Sequence, residues 1–285
     1  MNFQPINLSM NSKLITVFAM LMCSFSSFSQ DSNFHIYLCL GQSNMEGNAR
    51  FQPQDTLGVD KRFQVLEAVD CPNLGRVKGQ WYAALPPLCR CRTGLSPADY
   101  FGRTMVQNLP RNIKVGVINV SIGGCKIELF DKENFQSYVA NAPGWLKNMV
   151  KEYDGNPYQR LVDMAKLALK TGVIKGILLH QGESNTGDTL WPAKVKAVYD
   201  NLLKDLGLEA GSVPLLAGEL VPADQKGACA SMNRITGILP QIISKAYIIP
   251  SAGCEGVADR LHFSAAGYRE LGRRYAAKML ALQGF

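Results

Sequence analysis

Five runs of consecutive apolar residues divide the chain. They are HIYLCL at 35–40, KVGVINV at 114–120, IKGILLH at 174–180, VPLLAGEL at 213–220 and AYIIP at 246–250. Their apolar positions are continuous rather than alternating, which is typical of parallel strands that are buried on both faces. The pattern predicts five strands in one central, mostly parallel sheet.

Amphipathic helices are predicted between these runs, because apolar residues recur there at intervals of three or four. One helix begins after Ser96, and others begin at about residues 157, 195 and 265. Ser96 is followed by Pro97 and then by Asp99, a pattern typical of a capped helix N-terminus. Strands that alternate with helices of this length predict an α/β fold, specifically a three-layer α/β/α sandwich.

The segment at about 47–95 departs from this alternation. It is rich in proline, glycine and cysteine and has no sustained period. Long irregular segments in compact domains are usually functional, and ligands of open α/β sheets bind outside the carboxyl ends of the strands. We interpret residues 30–285 as a single domain in which 47–95 is a long insertion that forms a lid or a groove wall.

Residues 1–29 differ in composition from the rest of the chain. Their only charge is Lys13, which precedes a short apolar run at about 14–23 and the small-residue ending SFS. This order predicts a secretory signal peptide, and the apolar run is too short to span a bilayer. We therefore expect an exported protein, secreted or periplasmic, that does not reside in the membrane.

The cysteines are interpreted in the light of export. Eight are present, one of them in the leader, and an oxidising compartment favours disulfides. We predict pairing of Cys71 with Cys89 or Cys91, and of Cys229 with Cys254, although sequence does not determine connectivity. The odd number left after the leader implies at least one free thiol.

Charge and spacing exclude several classes of partner. The formal net charge is +7, and lysine and arginine are scattered without a nucleic-acid-binding motif. The pattern CRC has no matching second pair, so a zinc site is not expected. We predict no cofactor, no metal and no nucleic-acid partner, and the oligomeric state is left open.

Four polar clusters lie near the ends of predicted strands. GQSN at 41–44, SIGG at 121–124 and HQGESN at 180–185 follow strands directly, and DRLH at 259–262 precedes the last helix. Because the carboxyl ends of parallel strands meet at one edge of a sheet, the four clusters are expected to converge there.

A serine nucleophile needs a base, and the base needs an orienting partner. Of the three histidines, His35 opens a strand at the opposite edge and His180 ends a buried strand. Asp259 lies three residues before His262, close enough to hold one nitrogen of its ring. The prediction is a catalytic set of Ser43, His262 and Asp259.

An oxyanion hole requires hydrogen-bond donors that face the tetrahedral intermediate. The topology places three candidates at this edge: the backbone N–H of Ser43, a backbone N–H within Gly123–Gly124, and the side-chain amide of Gln181.

Other polar residues of the clusters have open roles. Glu183 is an alternative to Asp259 as the acid of the triad, or a hydrogen-bond partner near it. Gln42 and Asn44 are candidate supports of the serine loop, and Asn185 is a candidate pocket residue.

Some residues have plain structural alternatives. Glu46 is interpreted as an ion-pair partner, and His180 as structural. Trp81 and Trp191 are candidates for stacking on sugar rings, against the simpler alternative that they are buried.

The clusters GQSNMEG, SIGG, HQGESN and DRLHFSAAGY resemble those of carbohydrate esterase family 6 and the related sialate O-acetylesterase domains of the SGNH hydrolase superfamily. GLSPADYFGRTM is similar to the segment that opens the first helix in those proteins, and the resemblance extends from Gln30 to the last helix. It implies Ser43 as nucleophile, the pair Asp259 and His262 near the C-terminus, and Gln181 in the oxyanion role. The implied activity is metal-independent removal of acetyl groups from plant polysaccharides or sialic acids.

The sequence thus predicts a secreted serine acetylesterase that acts on acetylated xylan or related plant polysaccharides. The alternative within the same chemistry is a sialate O-acetylesterase. A lipase or thioesterase of the superfamily would need a long apolar acyl pocket, and an inactive carbohydrate-binding module would not need the three catalytic residues.

Overall fold

A computed structural model of the protein describes residues 1, 2, 4 and 30–285. The leader predicted over residues 1–29 therefore falls outside the described residues, apart from three positions at its start. Of the helices that the structure describes, none combines the length and the apolar character of a membrane span.

Seven strands form one sheet in the described part of the chain: β1 Phe34–Gly41, β2 Phe63–Leu66, β3 Trp81–Ala83, β4 Lys114–Ser121, β5 Val173–His180, β6 Leu215–Gly218 and β7 Ala246–Ile249. Their order is β3-β2-β4-β1-β5-β6-β7, and every pairing is parallel except that of β2 with β3. The predicted mostly parallel sheet is confirmed, but the predicted count of five strands is too low. The two additional strands have only four and three residues, too few to establish a period in the sequence.

The helices, in chain order, are α1 Ser43–Glu46, α2 Pro53–Thr56, α3 Pro97–Asn108, α4 Phe135–Ala140, α5 Gly144–Lys151, α6 Pro157–Ala168, α7 Trp191–Asp205, α8 Met232–Thr236, α9 Leu239–Ile242 and α10 Ala265–Gln283. The four predicted helices correspond to α3, α6, α7 and α10. The predicted start of α3 is confirmed, since the Asp99 carboxylate accepts the backbone N–H of Ser96 at 2.9 Å.

Two hydrophobic cores lie on the two faces of the sheet. Along β1, Ile36, Leu38 and Leu40 belong to the core that includes residues of α6 and α7. Tyr37 and Cys39 point the other way, into the core that includes residues of α3 and α10. This alternation, with both faces covered by helices, confirms the predicted three-layer sandwich.

The segment 47–95 is built into the edge of this sheet through β2 and β3. A disulfide joins Cys71 to Cys91, one of the two pairings that the sequence allowed for Cys71. The other predicted pair is wrong, because Cys229 and Cys254 are both free thiols. Cys254 is buried, whereas Cys229 is partly accessible and directs its thiol toward the Glu183 carbonyl at 3.7 Å.

Candidate active site

The three central strands end at the same level. Gly41 of β1 is paired with Ser121 of β4 and with His180 of β5, so the polar clusters that follow start side by side. Gly41 has a φ of +156°, and a Cβ there would lie 2.1 Å from the His180 carbonyl oxygen. A glycine is therefore required for the backbone to turn away from β5 at this point.

The turn places a serine against a histidine from the far end of the chain. Ser43 begins α1, and its Oγ lies 2.8 Å from Nε2 of His262. Nδ1 of His262 lies 2.7 Å from Oδ2 of Asp259. The structure thus brings the three predicted catalytic residues into one hydrogen-bonded chain. Below, residues 41–47 are called the nucleophile turn and residues 254–264 the base loop.

Hydrogen bonds stabilise the ionised form of the Asp259 carboxylate. Its Oδ1 accepts the backbone N–H groups of Leu261 at 2.8 Å and His262 at 3.0 Å. Partial burial opposes the charge, but the hydrogen bonds from the His262 ring and from these two N–H groups outweigh it and lower the pKa of Asp259. An ionised Asp259 fixes the imidazole proton on Nδ1 and leaves Nε2 free to accept the proton of Ser43.

Asn44 joins the nucleophile turn to the base loop. This side chain is fully buried, and its Nδ2 donates to the Leu261 carbonyl oxygen at 3.0 Å and to the Glu183 carboxylate. Its Oδ1 accepts the Tyr268 hydroxyl at 2.6 Å and the Phe263 N–H at 3.4 Å. Every hydrogen-bonding group of the amide is therefore occupied, as a support role requires.

Glu183 lies beside this network rather than in the catalytic chain. Its Oε1 accepts from Asn44, and its Oε2 has no hydrogen-bond partner among residues 30–285. Burial raises the pKa of Glu183 to about 7, although the bond from Asn44 and the nearby His262 oppose the shift. Since Nδ1 of His262 is taken by Asp259, the geometry favours Asp259 over Glu183 as the orienting acid.

The Gln181 amide is committed to structural bonds. Its nitrogen lies 3.1 Å from Oε1 of Gln42, 3.2 Å from the Cys125 carbonyl oxygen and 2.8 Å from Oδ1 of Asn185. Its oxygen accepts the indole N–H of Trp191. Two amide hydrogens already face three acceptors, so no donor is left for an oxyanion. The predicted oxyanion role of Gln181 is corrected to positioning of Gln42.

Gln42 itself faces the cavity at the serine. Its Oε1 also accepts from the backbone N–H groups of Gly182 at 3.4 Å and Ser184 at 3.3 Å. The three donors fix the orientation of the amide, and its Nε2 has no partner among the described residues. Gln42 is thus a side-chain donor beside Ser43 that the sequence indicated only as a support.

Asn185 does not line the cavity. Its Nδ2 donates to Glu128 at 3.0 Å and to Asp188 at 3.3 Å, and its Oδ1 accepts the Ile127 N–H at 2.9 Å. The side chain is buried behind the site. Its predicted place in the pocket is therefore corrected to a structural one.

A cavity of about 370 Å³ opens onto the serine and is called the catalytic cavity. Ser43, Gly123 and Gly124 line it, and none of their backbone N–H groups is used in a hydrogen bond among residues 30–285. These three N–H groups are candidate donors for a tetrahedral oxyanion.

The tryptophan that faces the catalytic cavity is one that the sequence did not single out. Trp145 is 53% exposed and lies against Gly124, where an added Cβ would approach its ring to 2.7 Å. Trp191 is fully buried, and Trp81 packs on Phe34 at 4.7 Å between ring centroids. The available signal was the position of Trp145 off the buried stripe of α5, which Leu146 and Val150 form.

The remaining charged candidates have structural places. Glu46 forms an ion pair with Arg90 at the mouth of the cavity. His180 is fully buried, which lowers its pKa to about 3 and keeps the ring neutral. His35 lies at the start of β1, at the edge opposite the site.

A family model described as carbohydrate esterase, sialic acid-specific acetylesterase matches residues 33–281. This span contains all the polar clusters and all but the last residues of α10. It also contains the whole hydrogen-bonded chain of Ser43, His262 and Asp259.

Solved structures share the fold. A protein from Arabidopsis thaliana is 19% identical with a TM-score of 0.66, over 87% of this chain and 98% of that one. NanS is 17% identical with a TM-score of 0.62, over 90% of this chain and 99% of its own. A carbohydrate acetylesterase from Xanthomonas citri is 18% identical with a TM-score of 0.61, over 88% of this chain but only 57% of its own.

Proposed function

Because the chain belongs to the carbohydrate esterase family of sialic acid-specific acetylesterases and is a carboxylic ester hydrolase, we propose that it removes O-acetyl groups from acetylated xylan or a related plant polysaccharide. The observation that carries the mechanism is the chain of hydrogen bonds from Ser43 through His262 to Asp259, at 2.8 and 2.7 Å. The alternative substrate is an O-acetylated sialic acid.

Ser43 is the proposed nucleophile. Its Oγ attacks the acetyl carbonyl carbon while His262 Nε2 takes its proton, and Asp259 stabilises the imidazolium that results. His262 then gives this proton to the sugar oxygen, which leaves as a hydroxyl and yields acetyl-Ser43. Water activated by His262 attacks the acyl group, and acetate leaves with the serine restored.

The oxyanion is assigned to free donors that line the catalytic cavity. These are the N–H of Ser43, an N–H of Gly123 or Gly124, and Nε2 of Gln42. The fixed Oε1 of Gln42 supports this choice, because a preorganised donor needs no rearrangement as charge develops.

Trp145 is proposed to hold the sugar. An exposed indole at the wall of the cavity presents an apolar face to a pyranose ring while the acetyl group enters toward Ser43. Asn48 and Ser184 contribute polar groups to the same wall, beside the apolar side chains of Met149 and Leu261.

Export is proposed together with this substrate, because plant polysaccharides lie outside the cell. The leader over residues 1–29 supports it through its single lysine and short apolar run. N-terminal sequencing of the mature protein tests it, with a new N-terminus near Gln30 expected.

The proposal is tested by acetate release from acetylated xylan, an O-acetylated sialic acid, an aryl acetate and an aryl octanoate. The wild type, Ser43→Ala and the surface control Ser32→Ala are compared. Release from xylan by the wild type and the control, with a loss of at least about 10³-fold in Ser43→Ala, is expected.

Three results would contradict the proposal. Release from sialic acid alone would replace the substrate, and faster octanoate than acetate hydrolysis would favour a lipase. Retained activity in Ser43→Ala would contradict the nucleophile.

A further inference from the structure

A second cavity adjoins the catalytic cavity. It has a volume of about 840 Å³, within the range of ligand-binding pockets, and lies between residues 46–51, 72–73 and 90–94 and Glu152. Glu46 and Asn48 line both cavities, so the two are adjacent. It is called the arginine cavity below.

The charges that line the arginine cavity do not cancel. Three arginines, Arg50, Arg90 and Arg92, face two acids, Glu46 and Glu152. Both acids form ion pairs with the same arginine, Arg90. Arg50 and Arg92 are exposed and have no ion-pair or hydrogen-bond partner for their side chains among residues 30–285. Two guanidinium groups are therefore free to bind an anion.

The wall that carries these arginines is fixed to the nucleophile turn. The Gly94 N–H donates to the Gly47 carbonyl oxygen at 2.7 Å, and the Leu95 N–H to that of Ala49 at 2.7 Å. The disulfide at Cys91 holds the other side of the same loop. The free guanidinium groups are thus attached to a backbone whose distance from Ser43 is set by the fold, as a recognition site requires.

We propose that the arginine cavity binds the carboxylate of a sugar unit that neighbours the acetylated one, so that the substrate class is an acetylated glycan carrying uronic acids. This rests on the proposed function. The planar guanidinium fork matches a carboxylate, and Phe51, 40% exposed in the same cavity, offers a ring face to the sugar. The neutral acetylated sugar occupies the catalytic cavity against Trp145.

The first experiment measures kcat/KM on an acetylated xylo-oligosaccharide with a glucuronic acid branch and on the same oligosaccharide after reduction of its carboxyl group. The double variant Arg50→Gln/Arg92→Gln is compared with the wild type and with Arg111→Gln, an exposed arginine outside both cavities. We expect the double variant to lose about tenfold or more on the acidic substrate only, since each exposed ion pair contributes up to about fivefold. The loss should shrink at about 1 M salt.

Several outcomes of these measurements would overturn the inference. Equal rates of the wild type on the acidic and reduced oligosaccharides, or an equal loss on both in the double variant, would overturn the inference. The same variants are also compared on an O-acetylated sialic acid. A loss confined to that substrate would overturn the inference, because the carboxylate would then belong to the acetylated sugar itself.

A binding measurement distinguishes failure of the subsite from failure of the esterase. Calorimetry with Ser43→Ala protein and the deacetylated acidic oligosaccharide reports on the arginine cavity without catalysis. Binding that is weakened about tenfold by Arg50→Gln/Arg92→Gln supports the subsite even if no sugar acetate is hydrolysed. Binding that the two substitutions leave unchanged contradicts it, even if the esterase is active.

Discussion

The nucleophile turn and the base loop contribute to one catalytic chain but are held in different ways. In the nucleophile turn, Gln42, Ser43, Asn44 and Glu46 are all buried, and the turn is packed against β5. In the base loop, the side chain of Asp259 is 46% exposed. The serine is thus positioned by the core of the protein, whereas the base is positioned by hydrogen bonds at its surface.

The difference shows where the site is vulnerable. The base loop holds its shape through the bonds from Leu261 and His262 to Asp259 and is attached to the nucleophile turn through Asn44. Changes at the buried supporting residues of the nucleophile turn should therefore affect folding as well as catalysis, whereas a change at the exposed Asp259 should affect catalysis alone. Asn44 is the residue at which both effects should coincide.

Asp259→Asn should cause the largest loss among the residues around the serine, about 10³- to 10⁴-fold in kcat/KM, because the amide no longer selects the required imidazole tautomer. Thermal melting should be nearly unchanged, since the side chain is about half exposed and an amide oxygen still accepts the loop N–H groups. Steady-state kinetics on an aryl acetate measures the first effect. A loss within tenfold, with a large loss in Glu183→Gln, would transfer the acid role to Glu183.

Asn44→Ala should lower kcat/KM by about 10²-fold, because a base misplaced by about 1 Å costs that much. It should also lower the free energy of unfolding by about 2 kcal/mol, since the Tyr268 hydroxyl and the Glu183 carboxyl lose a buried partner. Kinetics and denaturant melts measure both, with the exposed Asn108→Ala as control. Wild-type kcat in a destabilised variant would show that Asn44 supports the fold without positioning the base.

Glu183→Gln should make stability less dependent on pH. The pKa of a glutamate in the unfolded chain is near its ordinary value of 4.5, whereas burial raises the pKa of Glu183 to about 7. Between these values the unfolded state loses its proton first, so the wild type loses stability as pH rises through this window and keeps the deficit above it. The variant should gain on the order of 2 kcal/mol at pH 8 and almost nothing at pH 4.

Denaturant melts across the pH range test this prediction for Glu183. Asp99, whose pKa burial also raises to about 7, contributes equally to both proteins, so their difference isolates Glu183. A constant difference from pH 4 to pH 8 would contradict the assignment.

Trp145→Ala should have the smallest effect, a rise in KM of about tenfold on acetylated oligosaccharides, because the apolar face that stacks on the sugar is removed. Hydrolysis of an aryl acetate should change less than twofold. The exposed Leu57→Ala, at 67% exposure, controls for loss of a surface apolar side chain. An equal change on both substrates would contradict a role in sugar binding.

The sequence predicted the parts of the fold in which the hydrophobic pattern extends over many residues. Runs such as 114–120 correspond to strands, and the pattern from Ser96 to Asp99 marks the start of α3. It also named Ser43, His262 and Asp259, because serine catalysis needs that combination and few histidines compete. By contrast, β2 and β3 are too short for a period, and their pairing with distant strands is not encoded locally.

The errors in the site arise from hydrogen bonding. Gln181 follows a strand end as an oxyanion donor should, yet the indole of Trp191 and the carbonyl of Cys125 occupy its amide. Such occupancy depends on residues brought together by folding, and no spacing reveals it. The hydrogen bonds of Asn185, and the failure of Cys229 and Cys254 to pair, likewise depend on contacts that form only on folding.

The distance of 219 residues between Ser43 and His262 has a consequence for how the enzyme becomes active. His262 reaches the serine only when the base loop and α10 dock, and α10 lies so close to α3 that a Cβ on Gly272 would come within 2.4 Å of the Pro97 carbonyl oxygen. Contacts of such long sequence separation are slow to close in a folding chain. Recovery of ester hydrolysis during refolding is thus expected to lag behind recovery of helix content. Ester hydrolysis therefore reports when the hydrogen bonds from Ser43 through His262 to Asp259 have formed.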